Sequence, residues 1–448
     1  IPMRWTTKRF RWLFREVDER SAQGKETHLS MTQGRGLVPS ASLAGKRLHS
    51  TSYAGGKLVS CGDLVLNRLK AHLGVFSVAP CNGVVSPDYT VLRNRSEEST
   101  EYFARLLRSP AAIAELRRRT RGIVEGFWRL YTDDLYSLPL CIPPRNEQDQ
   151  IVAFLRAQDV KLGRLVRAKQ QLRSIAMERA HDQWHRLLSG AGASDCPLAY
   201  EWPPNTGSRW PLKRLKYLAR QITDQCATQA EDESYVALEH VESWTGSLAV
   251  PPGPVAFAST VKRFAQDDIL FGKLRPYLAK VARPAFKGVC VSEFIVLRAR
   301  TEVMEPAFLE AVLRSKALID RVAASSAGAK MPRTDWSVVG NLLIPVPPLD
   351  EQRQILASWN VLQKQSLALA NQAKQDLNLA LEYRTRLIAD VVTGQHDVRR
   401  WRPGPDDVVD DAGASVDWGL LSGAAAGDSD DDHSLQGAAG DDEPDGHE

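Results

Sequence analysis

Cysteine is scarce in this chain, six in 448 residues, and no two are spaced as Cys-x-x-Cys. Cys61, Cys81, Cys141, Cys196, Cys226 and Cys290 lie far apart. That scatter excludes a disulfide framework and also zinc knuckles and ribbons, whose ligands must be closely spaced. Reduced thiols of a cytoplasmic protein are the expectation. No run of eighteen apolar residues occurs, so no membrane-spanning helix is expected. From Ile1 to Trp12 the chain is basic and aromatic without an apolar stretch, which argues against a secretory leader. It opens on Ile-Pro, with Met3 as a candidate start. The length exceeds one ordinary domain, and two or three are expected.

Charge is unevenly placed. Between Pro403 and Glu448 there are 14 Asp/Glu and no Lys or Arg. Residues 1–402 therefore carry 58 basic against 40 acidic side chains, a net +18 behind an overall +4. So basic a body suits a polyanionic partner, although charge says nothing about sequence readout. The tail, rich in Gly, Ala, Asp and Ser, reads as a disordered solubilising segment. Its alternative is a DNA mimic that competes for the basic surface.

The chain repeats itself. An offset of 205 residues lays Trp5-x-x-Lys8-Arg9 on Trp210-x-x-Lys213-Arg214. It also lays Asp63-Leu64-Val65-Leu66-x-Arg68-Leu69-Lys70 on Asp268-Ile269-Leu270-Phe271-x-Lys273-Leu274-Arg275, and Asp88-Tyr89-x-Val91-Leu92-Arg93 on Glu293-Phe294-x-Val296-Leu297-Arg298. One register later, Ile142-Pro143-Pro144-x-x-Glu147-Gln148-x-x-Ile151 meets Val346-Pro347-Pro348-x-x-Glu351-Gln352-x-x-Ile355. This is a tandem duplication of a unit of about 200 residues, far longer than a solenoid repeat.

Each unit begins with β-branched runs punctuated by Gly and Pro: Lys57–Leu66, Val84–Leu92, Tyr235–Val241 and Val289–Leu297 are expected strands. Helices are expected from Glu101 to Leu107 onward and over Pro306–Leu318, which makes the globular parts α+β. Beyond each Pro-Pro the period becomes helical, with Asn146 or Asp350 as the expected cap. Ile355, Trp359, Leu362, Leu369 and Leu387 recur along one seam of the second long helix, and Ile151, Leu155, Leu162 and Leu165 along the first. Each helix spans on the order of 60 Å. So narrow an apolar stripe wants a partner helix. The economical arrangement pairs the two helices antiparallel, with a globular domain at each end.

The expected fold is therefore α+β, two similar globular domains separated by two long antiparallel coiled-coil-like helices with an internal pseudo-twofold repeat. Its parts are a first globular domain over 1–146, a helix over 147–192, a second domain over 193–349, a helix over 350–400 and an acidic tail over 401–448.

Two copies of an apolar strand ending in Pro-Pro-x-x-Glu-Gln, each followed by a long seamed helix, resemble the specificity subunit of type I restriction–modification systems. The resemblance covers about positions 4–400. Its marks are Leu342–Ile355 and Leu138–Ile151, Gly62–Leu66, Asp267–Leu270, Val236–Val241 and Leu29–Gln33. Arg145 stands where an apolar residue is usual, the first seam is interrupted at Gln158 and Lys169, and the acidic tail lies beyond the family pattern. The resemblance implies a non-catalytic, cytoplasmic reader of double-stranded DNA. Each domain, a target-recognition domain, would read half of a bipartite site, and the helices would hold the halves at fixed spacing. Modification (methyltransferase) subunits would dock on the helices, and a restriction/translocase subunit would join the assembly. S-adenosylmethionine, ATP and Mg are implied only for those partners, with no cofactor in this chain.

DNA contact calls for Arg and Lys at phosphates and for bidentate groups at base edges. Arg68 and Lys70, and their counterparts Lys273 and Arg275, leave strand ends; Tyr277 follows. A second set precedes each Pro-Pro strand: Arg121 and Arg129, then Lys330 and Arg333, beside Gly122 and Gly328. The plain alternative is a solvated cationic surface. Arg117-Arg118-Arg119 reads as a helical face or a phosphate clamp.

Catalytic motifs are wanting. His181-Asp182-Gln183-Trp184-His185 imitates a zinc-protease helix, but Asp replaces the Glu base and no third ligand is evident. Gly45-Lys46 and Gly56-Lys57 lack the earlier glycine of a phosphate loop. Trp202-Pro203-Pro204-Asn205 reverses the order of an amino-methylation motif, and Pro87-Asp88 finds no nuclease partner. Two other readings stand beside the resemblance: a helical protein-interaction scaffold without DNA readout, and a diverged nuclease or methyltransferase.

Overall fold

A computed structural model describes residues 4–32, 34–43, 53–121, 129–189, 202–206, 209–251, 253, 255, 260–326, 328, 331–407 and 418. The chain forms two compact units: unit 1 from Ile1–Leu172 with Gln372–Glu448, and unit 2 from Arg173–Asn371.

In unit 1 a four-stranded antiparallel sheet runs in the order Phe14–Val17, Tyr89–Asn94, Leu64–Asn67, Phe76–Val78. Unit 2 repeats it as Ala219–Ile222, Phe294–Ala299, Ile269–Gly272, Val281–Ala282. The register is also repeated: Phe14 faces Asn94 as Ala219 faces Ala299, and Leu64 faces Leu92 as Ile269 faces Leu297. A strand pair closes each unit, Thr6–Arg9 with Pro139–Ile142 and Leu212–Arg214 with Leu343–Pro345. The remaining strands differ. Unit 1 has two separate pairs, whereas unit 2 has a second four-stranded sheet in which Ser234–Val236 lies parallel to Gly288–Cys290.

Five expected elements are subdivided; in unit 2, Val289–Leu297 is two strands, Gly288–Cys290 and Phe294–Ala299, and Tyr235–Val241 is the strand Ser234–Val236 followed by the 3-10 turn Leu238–His240. Lys57–Leu66 is two strands, Lys57–Val59 and Leu64–Asn67. The turn between them needs a left-handed residue, supplied by Gly62 (φ +89°) in unit 1 and by Asp267 (φ +65°) in unit 2. The next residue then caps the turn: Asp63 accepts the amide of Ser60 at 2.9 Å and Asp268 that of Ala265 at 2.8 Å. Each is gripped by the arginine of the neighbouring strand, Arg93 and Arg298. Val84–Leu92 likewise divides into Gly83–Val85 and Tyr89–Asn94. Pro306–Leu318 is two helices, Pro306–Leu313 and Lys316–Ala324, broken at Arg314 and Ser315.

The long helices run over Arg145–Ser189 and Leu349–Val392. Their caps differ from expectation. The amides of Gln148 and Gln352 donate to the carbonyls of Pro144 and Pro348, so Asn146 and Asp350 sit inside the first turn. Each helix is then stapled to its own domain by a buried glutamine. Gln148 Oε1 accepts the Ser99 amide at 2.8 Å, while its Nε2 donates to Pro143 O at 2.9 Å and Glu98 Oε2 at 2.6 Å. Gln352 does the same with the Glu305 amide, Pro347 O and Val303 O. The preceding glutamates accept the indole N–H groups of Trp5 and Trp210. That is what the duplicated Pro-Pro-x-x-Glu-Gln does physically: it fixes the exit angle of a helix.

Within each unit the two helices meet antiparallel. In unit 1, Arg384 binds Asp159 at 2.7 Å and Asp376 binds Lys169 at 2.6 Å, while Val166 packs among Leu377 and Ala380. Lys169, an interruption of the seam in sequence, is thus a cross-helix ion pair. In unit 2, the Trp184 and Trp359 rings lie 4.8 Å apart. The helix ends enter the domain cores: Ile151, Leu155, Val391 and Val392 join Phe10, Phe14 and Phe103, and Trp184, Leu188 and Trp359 join Phe271 and Phe308. Side chains of this size contribute about 1.5–3 kcal/mol each on full burial.

Candidate nucleic-acid interface

Arg68 opens a 3-10 turn, Arg68–Leu73, at the end of strand Leu64–Asn67. Asn67 caps the turn by accepting the amides of Leu69 and Lys70. The Arg68 guanidinium donates to Thr90 Oγ1 at 2.7 Å and lies 3.5 Å from Glu16 Oε1, so it is half-buried and held. Glu16 also binds Lys57 at 3.4 Å and accepts the Thr132 hydroxyl at 2.6 Å. Lys70 is half-exposed on the same turn.

Arg121 and Arg129 pair through two backbone hydrogen bonds, at 2.9 and 2.8 Å, and both side chains are exposed. Arg121 reaches Asp134 at 2.6 Å. The next amide, Leu130, donates to Arg68 O at 3.3 Å. Two stretches separated by some sixty residues in sequence therefore present their cations together.

Unit 2 builds the same junction. Thr334 N donates to Lys273 O at 3.0 Å, and Arg275 N donates to Pro332 O at 2.8 Å. Leu274 and Arg333 form an antiparallel bridge. Arg333 pairs with Glu293, whose own carbonyl accepts the Lys273 amide. Arg275 adopts a left-handed conformation (φ +50°), which turns the chain into the short helix Pro276–Leu278 that carries Tyr277, 46% exposed. Lys330 and Gly122 lie outside the described residues, as does Cys196.

Sequence reasoning missed Lys262. It is buried and donates to Phe294 O at 2.8 Å and Ser292 O at 3.3 Å. Burial, then the neighbouring Lys273, holds its ammonium pKa below the usual lysine value. Its place under the strand end had no signature in a lone Val-Lys-Arg-Phe run. Arg117, Arg118 and Arg119 close the helix Pro110–Arg119; Arg117 donates to His72 O at 3.0 Å, and Arg118 and Arg119 pair with Glu115.

Of the seam residues, Ile151, Leu155 and Trp359 are buried, and Leu162, Ile355, Leu362 and Leu387 are partly buried against the cores. Leu165 and Leu369 face solvent, 44% and 47% exposed, while their neighbours Val166 and Ala370 are buried. The histidine pair of the first long helix is packed rather than open. His181 lies edge-on to Trp244, and burial pushes its pKa down to about 4. Among the described residues, no three His, Cys, Asp or Glu side chains converge as a metal site, and no helix is long and apolar enough to cross a membrane.

No protein-family model matches the sequence. The type I restriction enzyme EcoDI specificity subunit of Escherichia coli is 25% identical over 214 residues. The match spans 43% of this chain and 47% of that protein, about half its length. A chain from a type I R-M system, solved to explain complex assembly and conformational transition, superposes with a TM-score of 0.59 at 17% identity. The superposition covers 88% of this chain and 98% of that one. In sequence this protein resembles a type I specificity subunit, and in fold a type I R-M chain. The HsdS subunit from Thermoanaerobacter tengcongensis aligns with a TM-score of 0.43, at 17% identity over 88% of this chain and 98% of that one.

Proposed function

We propose that this chain is the non-catalytic, sequence-specific DNA-binding specificity subunit of a type I restriction–modification complex. The observation that carries the reading is the repeated junction. In each unit a basic strand end, Arg68/Lys70 or Lys273/Arg275, is paired with a second basic segment, and the same unit is stapled through Gln148 or Gln352 to a long helix. Two equivalent cationic readers on paired helices suit two half-sites at a set separation. Arg68, Lys70, Arg121, Arg129, Lys273, Arg275, Tyr277, Lys330 and Arg333 are the proposed DNA-binding residues. The exposed Leu165 and Leu369 are proposed docking positions for modification subunits, and a restriction/translocase subunit completes the assembly. Chemistry, with its S-adenosylmethionine, ATP and Mg, belongs to those partners.

The test is co-expression with the candidate modification subunit, followed by mapping of adenine methylation in host DNA. The reading expects a split motif, two short specific blocks around a fixed unspecific gap. A stable complex that methylates a continuous motif, or none, would overturn it.

A further inference from the structure

The duplication makes the two units each other's control, and at one place they differ sharply. The helix Thr100–Leu107 of unit 1 corresponds to Pro306–Leu313 of unit 2, each ending at an arginine, Arg108 or Arg314. Arg314 is neutralised locally by Glu310, one turn earlier, at 2.6 Å. The position equivalent to Glu310 is Ala104. The space beside Arg314 is nearly filled, by Trp184, Trp244 and Trp359, leaving about 20 Å³. In unit 1 the equivalent space is an open cavity of about 1040 Å³.

That cavity is cationic. Arg35, Arg105, Arg108, Arg156 and Arg384 line it, against Glu101, Asp159 and Glu382. Asp159 is already shared by Arg105 and Arg384, and Glu101 is engaged by Arg156. Arg108 is half-buried in its wall, and desolvation followed by the nearby Arg384 and Arg105 pushes its pKa down to about 10. Five guanidinium groups around one space favour an anion among them.

The chain's own C-terminal extension leads there. Phe154 packs against His396 and Trp401, and Gln150 Nε2 donates to Trp401 O at 2.6 Å. Farther along the same helix, Lys161 pairs with Asp407 at 2.7 Å. Trp418 then lines the cavity, with the Arg384 guanidinium 4.6 Å from its ring centroid, and packs against the cluster of Val166, Leu377 and Ala380. A guanidinium over an indole face is held by the ring quadrupole, which suits Trp418 to anchor a short tether. In sequence, Asp410, Asp411 and Asp417 come between the anchors Asp407 and Trp418, and nine further acids follow.

We propose that the acidic C-terminal extension is the built-in ligand of the arginine-lined cavity of unit 1, seated there by Trp418. Occupancy neutralises this face of unit 1 and sets the extension in competition with any other polyanion that approaches it. The inference does not depend on the DNA-reading proposal, because its ligand is part of this chain.

The test uses the full chain and its Trp418→Ala variant, with a fluorescent peptide reproducing residues 404–430 as the probe. Binding is followed by fluorescence polarisation. The variant, its own anchor released, is expected to bind the peptide at least tenfold tighter than the parent chain does. A peptide carrying the same Trp418→Ala change is expected to lose that advantage. Arg384→Ala in the variant background should abolish binding; Arg384→Lys, which keeps the charge but not the planar stack, should weaken it and serves if the alanine variant does not fold. Equal binding to parent and variant would overturn the proposal. So would equal binding of both peptides, which would reduce the attraction to bulk charge.

Discussion

Asp159 on the first long helix accepts the Nε–H of Arg384 on the second at 2.7 Å. Its other oxygen accepts from Arg105 at 3.0 Å, so a single carboxylate joins both helices to the globular part of unit 1. Burial alone would raise its pKa, but Arg105 and Arg384 outweigh burial and hold the carboxyl below the usual aspartate range.

Replacing Asp159 with Asn should therefore destabilise unit 1 by about 1.5–3 kcal/mol near neutral pH, the worth of charged hydrogen bonds. A lowered folded-state pKa means that the contribution is full above the unfolded value of about 3.9 and lost as pH falls through the folded one. Thermal unfolding of both chains across that range checks it: the gap should close on acidification. A gap that widened in acid would contradict the assignment.

Gln148→Leu and Gln352→Leu should each remove one staple and leave the amide of Ser99 or Glu305 without its acceptor. The cost should be about 1–3 kcal/mol apiece. Hydrogen exchange read by peptide should show faster opening at the start of one long helix only, the one whose glutamine was changed.

Arg68→Ala with Lys70→Ala should impair one DNA half-site, and Lys273→Ala with Arg275→Ala the other. Each cation taken away from a phosphate should flatten the dependence of log affinity on log salt by about 0.9. Titrations on duplexes altered in one half-site at a time separate the two. Unchanged affinity and unchanged half-site preference in both variants would remove these residues from the interface.

Leu369→Glu should leave thermal stability within about 0.5 kcal/mol, because the side chain is exposed. It should nevertheless reduce co-purification with the modification subunit. Ile355→Glu, half-buried against the core of unit 2, should instead lower stability by about 1–3 kcal/mol, as expected when a charge replaces a packed apolar side chain. Intact assembly of the Leu369 variant would exclude that face as the docking site.

Much of the fold is legible in the sequence because its signals are local. A short β-branched or apolar run punctuated by Gly and Pro, a Pro-Pro that stops it and a heptad-like seam after it can all be read without knowing what they touch. The seam is less legible in detail. Leu165 and Leu369 fit the spacing, yet Val166 and Ala370 are the buried ones, because small steps in helix phase accumulate over more than forty residues. The caps mislead for a similar reason: Asn146 and Asp350 are good cap residues, but the proline carbonyls before them already accept the helix amides.

The duplication, the α+β units, the paired helices and the separation of a basic body from an acidic tail are all legible in the order of residues. These follow from composition and period, which are properties of neighbouring residues. Which cations share a place emerges from the packed fold. It joined Arg68 to the Arg121–Arg129 pair and Lys273 to Arg333, and it left unit 1 with an arginine-lined cavity where unit 2 has tryptophans. That decision depends on which distant backbone segments hydrogen-bond and on how much side-chain volume fills the space between them, and neither quantity is written in any local stretch of the chain.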